Sequence, residues 1–101
     1  MTEPKTHGSI YIITDPKESS NKCYIGQTVT TVENRLKQHI YESKRRNNKK
    51  CNWMISRLND GHEFKIQILE WNERALLDDR EKWWVDEIGK LGYILVNQLL
   101  N

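Results

Sequence analysis

The sequence predicts an α+β fold in which helices flank a small, three-stranded antiparallel sheet. Two extended segments lie near the N-terminus, a third lies beyond the middle of the chain, and helical patterns occupy the remaining regions. The predicted order is strand, strand, helix, helix, strand, helix, helix. With 101 residues and no linker rich in Gly, Ser or Pro, residues 1–101 are expected to form a single domain.

The three strands are predicted from β-branched, aromatic and apolar runs. Ser9–Thr14 ends at the turn-prone pair Asp15-Pro16, and Lys22–Gly26 is the expected hairpin partner. Residues 64–68 alternate between apolar and polar side chains, as in a strand with one buried face. This segment is expected to be the third strand of the same sheet.

The first two helices are predicted from stripes of apolar residues. Thr30 or Thr31 is expected to cap the first helix, in which apolar residues recur every four positions as far as Ser43. The second helix follows a basic tract and carries apolar residues on one face. Asp60-Gly61 is expected to end it.

The longest predicted helix spans Glu73–Ile88, with Gly89 or Gly92 as its terminator, and a short helix or extended tail over Ile94–Leu100 closes over the sheet. Glu81 falls in the middle of the apolar stripe of the long helix. A buried carboxylate without a partner is costly, so Glu81 either forms a salt bridge or faces a cation. The pattern leaves both alternatives open.

The net charge of +2 conceals an uneven distribution of charge along the chain. Between Asn21 and Arg57, nine Lys or Arg residues oppose two Glu residues, whereas the remainder is net acidic. A local basic field attracts polyanions. Its densest part suits contact with DNA phosphates, although such a tract is also typical of a solvated loop; it consists of Lys44, Arg45, Arg46, Lys49 and Lys50.

Several classes of protein are disfavoured. Cys23 and Cys51 lack the number and spacing of a disulfide scaffold or a zinc site, so reduced thiols are expected. No segment approaches the roughly 20 apolar residues of a membrane span, and Met1–Gly8 lacks the apolar stretch of a signal peptide. The protein is therefore expected in the cytoplasm. His7 and His62 have no partner at a metal-ligand spacing and receive no role.

Four side chains that are able to take part in catalysis border the predicted core. Arg35 and His39 are four residues apart and project from one face of the first helix, beside its apolar stripe. Tyr11 and Tyr24 lie on neighbouring strands, where each ring packs while its hydroxyl reaches a cleft. A solvated helix flank and ordinary core tyrosines are the alternative interpretations.

Together these positions resemble the GIY-YIG nuclease family over nearly the whole chain, from Gly8 to about Asn97. Ser9 stands where the family usually has the glycine of its first motif, and the loop between the two tyrosines is slightly long. Five motifs in the right order carry the resemblance: Gly8-Ser9-Ile10-Tyr11, Tyr24-Ile25-Gly26, Arg35 with His39, Arg80-Glu81-Lys82-Trp83-Trp84, and Asn97.

The resemblance implies a DNA endonuclease that hydrolyses phosphodiester bonds with one Mg²⁺ or Mn²⁺. Glu81 would bind the metal ion, and Arg35 would stabilise the negative charge that develops in the transition state. Tyr11 would activate or orient water, while Tyr24 and His39 would position the phosphate and share a proton path. A tyrosine base would need its pKa lowered by nearby cations.

Similarity to this family also implies that Asn97, although among the site residues, is a hydrogen-bonding residue beside the chemistry. The nearest relatives are the catalytic domains of phage and intron-encoded homing endonucleases, which carry a separate DNA-recognition region. That region would begin where this chain ends, so the chain is either a trimmed domain or a stand-alone nuclease, expected as a monomer. The alternative is a non-catalytic nucleic-acid-binding module of the same fold, which the basic middle third favours.

Overall fold

The computed structural model describes residues 6–97, and no helix among them is long and apolar enough to cross a membrane. The α+β class is confirmed. In chain order the elements are β1 (His7–Thr14), β2 (Lys22–Thr28), α1 (Val32–Ser43), α2 (Lys49–Asn59), β3 (Lys65–Glu73), a 3₁₀ turn (Arg74–Leu76), α3 (Leu77–Lys90) and β4 (Ile94–Leu95).

The sheet has four strands in the order β3-β1-β2-β4. β1 pairs antiparallel with β2 and β3, whereas β4 runs parallel to β2. The prediction of three antiparallel strands was therefore wrong in detail. Gly92 turns the chain with a φ of 95°, after which the Ile94 N–H donates to the Asn21 carbonyl and the Val96 N–H to the Cys23 carbonyl. A strand of two residues is too short to produce an alternating pattern.

The boundaries around the last helix also differ from the prediction. β3 continues to Glu73, which pairs with His7, and α3 begins only at Leu77. A β-bulge shifts the register of β3 against β1, so the alternating pattern stops before the strand does. The helix or tail predicted over Ile94–Leu100 is strand β4 at its start, and residues 98–100 lie outside the described part of the chain.

Side-chain caps define the starts of α1 and α2. Thr31 accepts a hydrogen bond from the Asn34 N–H at 3.2 Å, as the sequence predicts, and Asn48 accepts one from the Cys51 N–H at 2.9 Å. Each cap satisfies a backbone donor that has no partner within the helix. The second helix ends, as predicted, before Gly61, which has a φ of 80°.

Two apolar clusters cover the two faces of the sheet, because alternate side chains of β1 point in opposite directions. Both cysteines are buried and free. The cluster under α3 contains Ile10, Ile12, Cys23, Ile25, Leu77 and Ile88. The cluster under α1 and α2 contains Tyr11, Ile13, Val32, Trp53, Met54 and Val96.

Candidate active site

Tyr11 and His39 meet in the interior between β1 and α1. The Tyr11 hydroxyl and His39 Nε2 form a hydrogen bond of 2.6 Å, and both side chains are fully buried. His39 was expected beside the stripe at the edge of the core, but α1 turns the row Val32, His39 and Ser43 towards the interior. This polar residue occupies a core position because hydrogen bonds satisfy its ring.

Tyr24 completes an aromatic cluster with these two residues. Its ring centroid lies 5.1 Å from that of His39 and 6.4 Å from that of Tyr11. Tyr11 is the cross-strand partner of Gly26, where a Cβ would overlap the Tyr11 hydroxyl and lie 2.9 Å from Tyr24 Cε1. The glycine of the second motif is therefore required by the close approach of a ring, a constraint that no local pattern in the sequence indicates.

Lys50 approaches the same histidine from α2. Its Nζ lies 2.8 Å from His39 Nδ1, 3.6 Å from a Glu42 carboxylate oxygen and 5.2 Å from the centre of the Tyr24 ring. Only 12% of the Lys50 side chain is exposed. The sequence groups Lys50 with the cations of the basic tract, because linear spacing does not reveal which side of α2 faces the interior.

Burial dominates the protonation of the aromatic cluster. The pKa of His39 falls to about 3, because burial and then the charges of Lys50 and Arg35 disfavour the imidazolium. Burial raises the pKa of Tyr11 above its ordinary range, and the opposing effect of Arg35 is smaller. Burial also raises the pKa of Tyr24. In the free protein at neutral pH, His39 is therefore neutral and both tyrosines are protonated.

Arg35 lies at the open side of the cluster. Its side chain is 27% exposed, and its Nη1 donates to Gln38 Oε1 at 3.0 Å and lies 3.9 Å from Glu42 Oε1. Its charge lowers the pKa of Tyr11 against the effect of burial, which places the guanidinium within electrostatic reach of that hydroxyl. Arg35 thus connects the buried tyrosine to a solvent-facing groove on α1.

Glu81, on α3, is a half-buried carboxylate. Within residues 6–97, no Lys, Arg or His nitrogen lies within 4.0 Å of it, so the salt bridge that the sequence left open is not formed there. Burial and then the charge of Asp78 raise the pKa of Glu81. Its charge in turn contributes to the raised pKa values of Tyr11 and Tyr24, so the carboxylate belongs electrostatically to the same site.

The remaining cations of the basic tract lie on the surface around the turn between α1 and α2. Lys44, Arg45, Arg46 and Lys49 are exposed. The Arg45 guanidinium stacks 3.6 Å from the centre of the Tyr41 ring and donates to the Tyr41 carbonyl at 3.1 Å. Arg45 and Arg46 share the α1 groove with Arg35, so part of the tract is continuous with the site.

Asn97 joins the end of the described chain to β2. Its Nδ2 donates to the Ile25 carbonyl at 2.6 Å, and its Oδ1 accepts from the Ile25 N–H at 3.0 Å. Ile25 lies between Tyr24 and Gly26. Both bonds go to the backbone, so Asn97 holds this strand rather than extending into the aromatic cluster.

The carboxylate of Glu81 has the chemistry of a ligand for a small divalent cation. Residues 6–97 contain no group of three or more His, Cys, Asp or Glu side chains that could enclose a metal ion. Mg²⁺ does not need such a cage, because it retains several waters and is commonly held by one or two carboxylates. A half-buried carboxylate without a cationic partner in this part of the chain fits that requirement.

The fold and the site together define a class of protein, a small α+β domain in which two tyrosines of the sheet lie with an arginine and a histidine of one helix, and a half-buried glutamate lies on another. A family model described as the GIY-YIG catalytic domain matches residues 7–93. The chain therefore belongs to the GIY-YIG family, whose members are nucleases that act on DNA. No curated protein and no solved structure matches the chain. The narrower likeness to homing endonucleases stays a prediction.

Proposed function

We propose that this protein is a metal-dependent DNA endonuclease that hydrolyses phosphodiester bonds with a single divalent cation. The observation that carries the proposal is the position of Glu81, a half-buried carboxylate with no cation beside it in the described residues. It is coupled electrostatically to Tyr11 and Tyr24. Leaving such a charge unpaired is unfavourable for folding, which favours a role in binding a cation.

Glu81 would hold one Mg²⁺ or Mn²⁺ that keeps most of its waters. When bound, the ion supplies charge stabilisation to a phosphate oxygen and to the leaving oxygen. Arg35 directs its planar set of donors towards the oxygens on which negative charge develops. Its partial exposure leaves it accessible to a phosphate that enters from the α1 groove.

Tyr11 orients the attacking water, and Tyr24 positions the phosphate beside it. Tyr11 is protonated in the free protein, because burial raises its pKa. It therefore acts first as a hydrogen-bonding group, and it becomes a base only if cations in the complex lower that pKa. Neutral His39 holds the Tyr11 hydroxyl at 2.6 Å.

Cleavage of supercoiled plasmid tests the proposed activity. We expect nicked or linear product with Mg²⁺ or Mn²⁺, no product with chelator, and a loss of roughly 10²-fold to 10³-fold in rate for Arg35→Ala. Arg57→Ala is the matched control, because Arg57 pairs with Asp60 on α2 and has no place in the site. Absence of cleavage with both metals over a range of salt concentrations would contradict the proposal. Chelator-insensitive binding without cleavage would instead identify a non-catalytic module.

The exposed cations of the basic tract are proposed to contact phosphates. Replacing Lys44, Arg46 and Lys49 with Gln should lower the slope of log affinity against log salt by about 0.9 for each contact removed. Fluorescence anisotropy with a short DNA duplex in chelator measures this slope. Replacing the exposed Lys65 on β3 provides the control. An unchanged slope in the triple variant would show that these residues form an ordinary solvated loop.

A further inference from the structure

His39 has partners at both ring nitrogens although it is fully buried. Nε2 lies 2.6 Å from the Tyr11 hydroxyl oxygen, and Nδ1 lies 2.8 Å from Lys50 Nζ. A neutral imidazole carries one proton, so one of its nitrogens donates and the other accepts. The identity of the partner at Nδ1 therefore decides what His39 does for Tyr11.

Lys50 can only be the donor in its hydrogen bond with His39. An ammonium group has three donors and no acceptor, so the Lys50 Nζ donates and His39 Nδ1 accepts. The Glu42 carboxylate, 3.6 Å from the same Nζ, is the ion-pair partner of this ammonium group. The proton of neutral His39 must then lie on Nε2, and the Nε2–H donates to the Tyr11 oxygen.

We propose that Lys50 is a positioning residue that locks His39 in the Nε2–H tautomer and thereby directs the Tyr11 O–H away from His39, towards the side of the cluster where Arg35 lies. A tyrosine hydroxyl whose oxygen accepts a hydrogen bond from the His39 Nε2–H can still donate its own O–H to another group. In the opposite tautomer, Tyr11 would donate to His39, and its proton would stay in the interior. The inference rests on the proposed function only in giving Tyr11 a place beside the reacting water.

This arrangement restricts the proton path between Tyr11 and His39. While Lys50 donates to Nδ1 and Nε2 carries the proton, neutral His39 has no free lone pair to accept a proton from Tyr11. A proton that leaves Tyr11 therefore leaves on the side away from His39, where water or a phosphate oxygen would accept it in the proposed reaction. The His39 Nε2–H continues to donate to the Tyr11 oxygen and stabilises the negative charge of the phenolate.

The tautomer is measurable in the free protein without any cleavage assay. Long-range ¹H–¹⁵N correlation spectra distinguish protonated from unprotonated ring nitrogens, and the chain has only three histidines. For the native protein and for Lys50→Arg, which also offers donors only, we expect the proton on Nε2. For Lys50→Glu, which offers only an acceptor, we expect Nδ1 to become protonated. Lys65→Glu, the same charge reversal at an exposed position of β3, should leave the His39 signals unchanged.

Single-turnover cleavage adds the functional readout. Measured at saturating protein, so that a loss of DNA affinity through the charge reversal does not enter, Lys50→Glu should reduce the rate constant by about 10-fold to 100-fold. Lys50→Arg should restore most of it, as for partners that orient other histidines. A structural role alone would change the melting temperature and leave the tautomer as it was. If Lys50→Glu does not fold, the native and Lys50→Arg spectra still decide, because a proton on Nδ1 in either would overturn the proposal.

The outcomes also separate this inference from the proposed function. If Lys50→Glu changes the His39 tautomer but the protein never cleaves DNA, the role of Lys50 would be supported and the proposed nuclease activity contradicted. If the protein cleaves DNA but His39 keeps the same tautomer in Lys50→Glu, the proposed nuclease activity would be supported and the role of Lys50 overturned.

Discussion

Glu70 and Glu81 are two carboxylates beside the same helix in opposite electrostatic environments. Glu70, on β3, accepts from Arg80 Nε at 2.8 Å and Arg80 Nη2 at 2.7 Å, and also from Asn72 and Trp84. These hydrogen bonds, led by that of Arg80, lower the pKa of Glu70 to about 2. Glu81 has no cation within 4.0 Å in residues 6–97, and burial raises its pKa.

The difference arises from consecutive positions on α3. Neighbouring residues of a helix point about 100° apart, so Arg80 hydrogen-bonds to Glu70 on β3 while Glu81 points in a different direction and meets Gln27 of β2. The first carboxylate stabilises the fold. The second is unfavourable in the free protein, because burial disfavours its charged form. Natural proteins retain such locally unfavourable groups where function requires them.

The largest expected effect separates these roles at Glu81. Glu81→Ala should reduce plasmid cleavage by roughly 10³-fold or more, since a principal source of charge stabilisation is lost. Folding should change little or improve, because the removed carboxylate has no cationic partner in residues 6–97, and metal-free DNA binding should hold or strengthen. Glu87→Ala on the same helix is the control, since Glu87 pairs with Lys90 at the surface. A variant that melts much earlier but still nicks DNA would contradict a metal-binding Glu81.

Replacement of Glu70 should produce the reverse pattern. Glu70→Gln removes charge-assisted hydrogen bonds from Arg80 and Trp84, so the free energy of unfolding should fall by about 1–2 kcal/mol. The cleavage rate of the folded fraction should remain near that of the native protein. Chemical denaturation and plasmid cleavage at low temperature measure the two quantities. A variant of native stability that fails to cleave would reverse the roles assigned to the two glutamates.

Added Mg²⁺ should stabilise the native protein through Glu81 and not through Glu70. A ligand that binds only the folded state contributes about 1.4 kcal/mol at ten times its dissociation constant. The melting temperature should therefore rise with Mg²⁺ in the native protein and in Glu70→Gln, and stay constant in Glu81→Ala. An equal rise in Glu81→Ala would place the ion elsewhere.

The smallest effect concerns acid unfolding. A folded pKa of about 2 for Glu70, below its ordinary value of 4.5, means that its stabilisation is present above pH 4.5 and is lost as the pH falls towards 2. Glu70→Gln should therefore weaken the dependence of the melting temperature on pH in this range. The dependence that remains is due to Asp15, whose pKa is also lowered in its pairing with His62. Glu81 has the opposite sign, because its raised pKa makes its charged form destabilising at higher pH. Its effect falls above pH 4.5, where the carboxyl of the unfolded chain ionises before that of the folded protein. Glu81→Gln should therefore raise the melting temperature above pH 4.5 more than at lower pH, and the reverse would contradict the raised pKa.

Local signals in the sequence are enough to predict most of the elements. Thr31 as the cap of α1, Gly61 beyond the end of α2 and the turn after Thr14 all act within a few residues, so their effects are visible in the chain itself. The candidate site residues are likewise indicated by short motifs in the correct order, and their roles stay predictions. Periodicity also shows that Glu81 interrupts an apolar stripe, but it does not show whether a cationic side chain lies beside the carboxylate.

Contacts between distant parts of the chain were decided only by the tertiary structure. β4 exists because its backbone reaches the edge of β2, and its two residues carry no period of their own. Lys50 belongs to an exposed tract in the sequence, yet it is the partner of His39 because α1 and α2 pack side by side. Glu70 and Arg80 meet through the approach of α3 to β3. In each case the energy comes from pairing groups that are far apart in the chain, and such pairing leaves no local pattern.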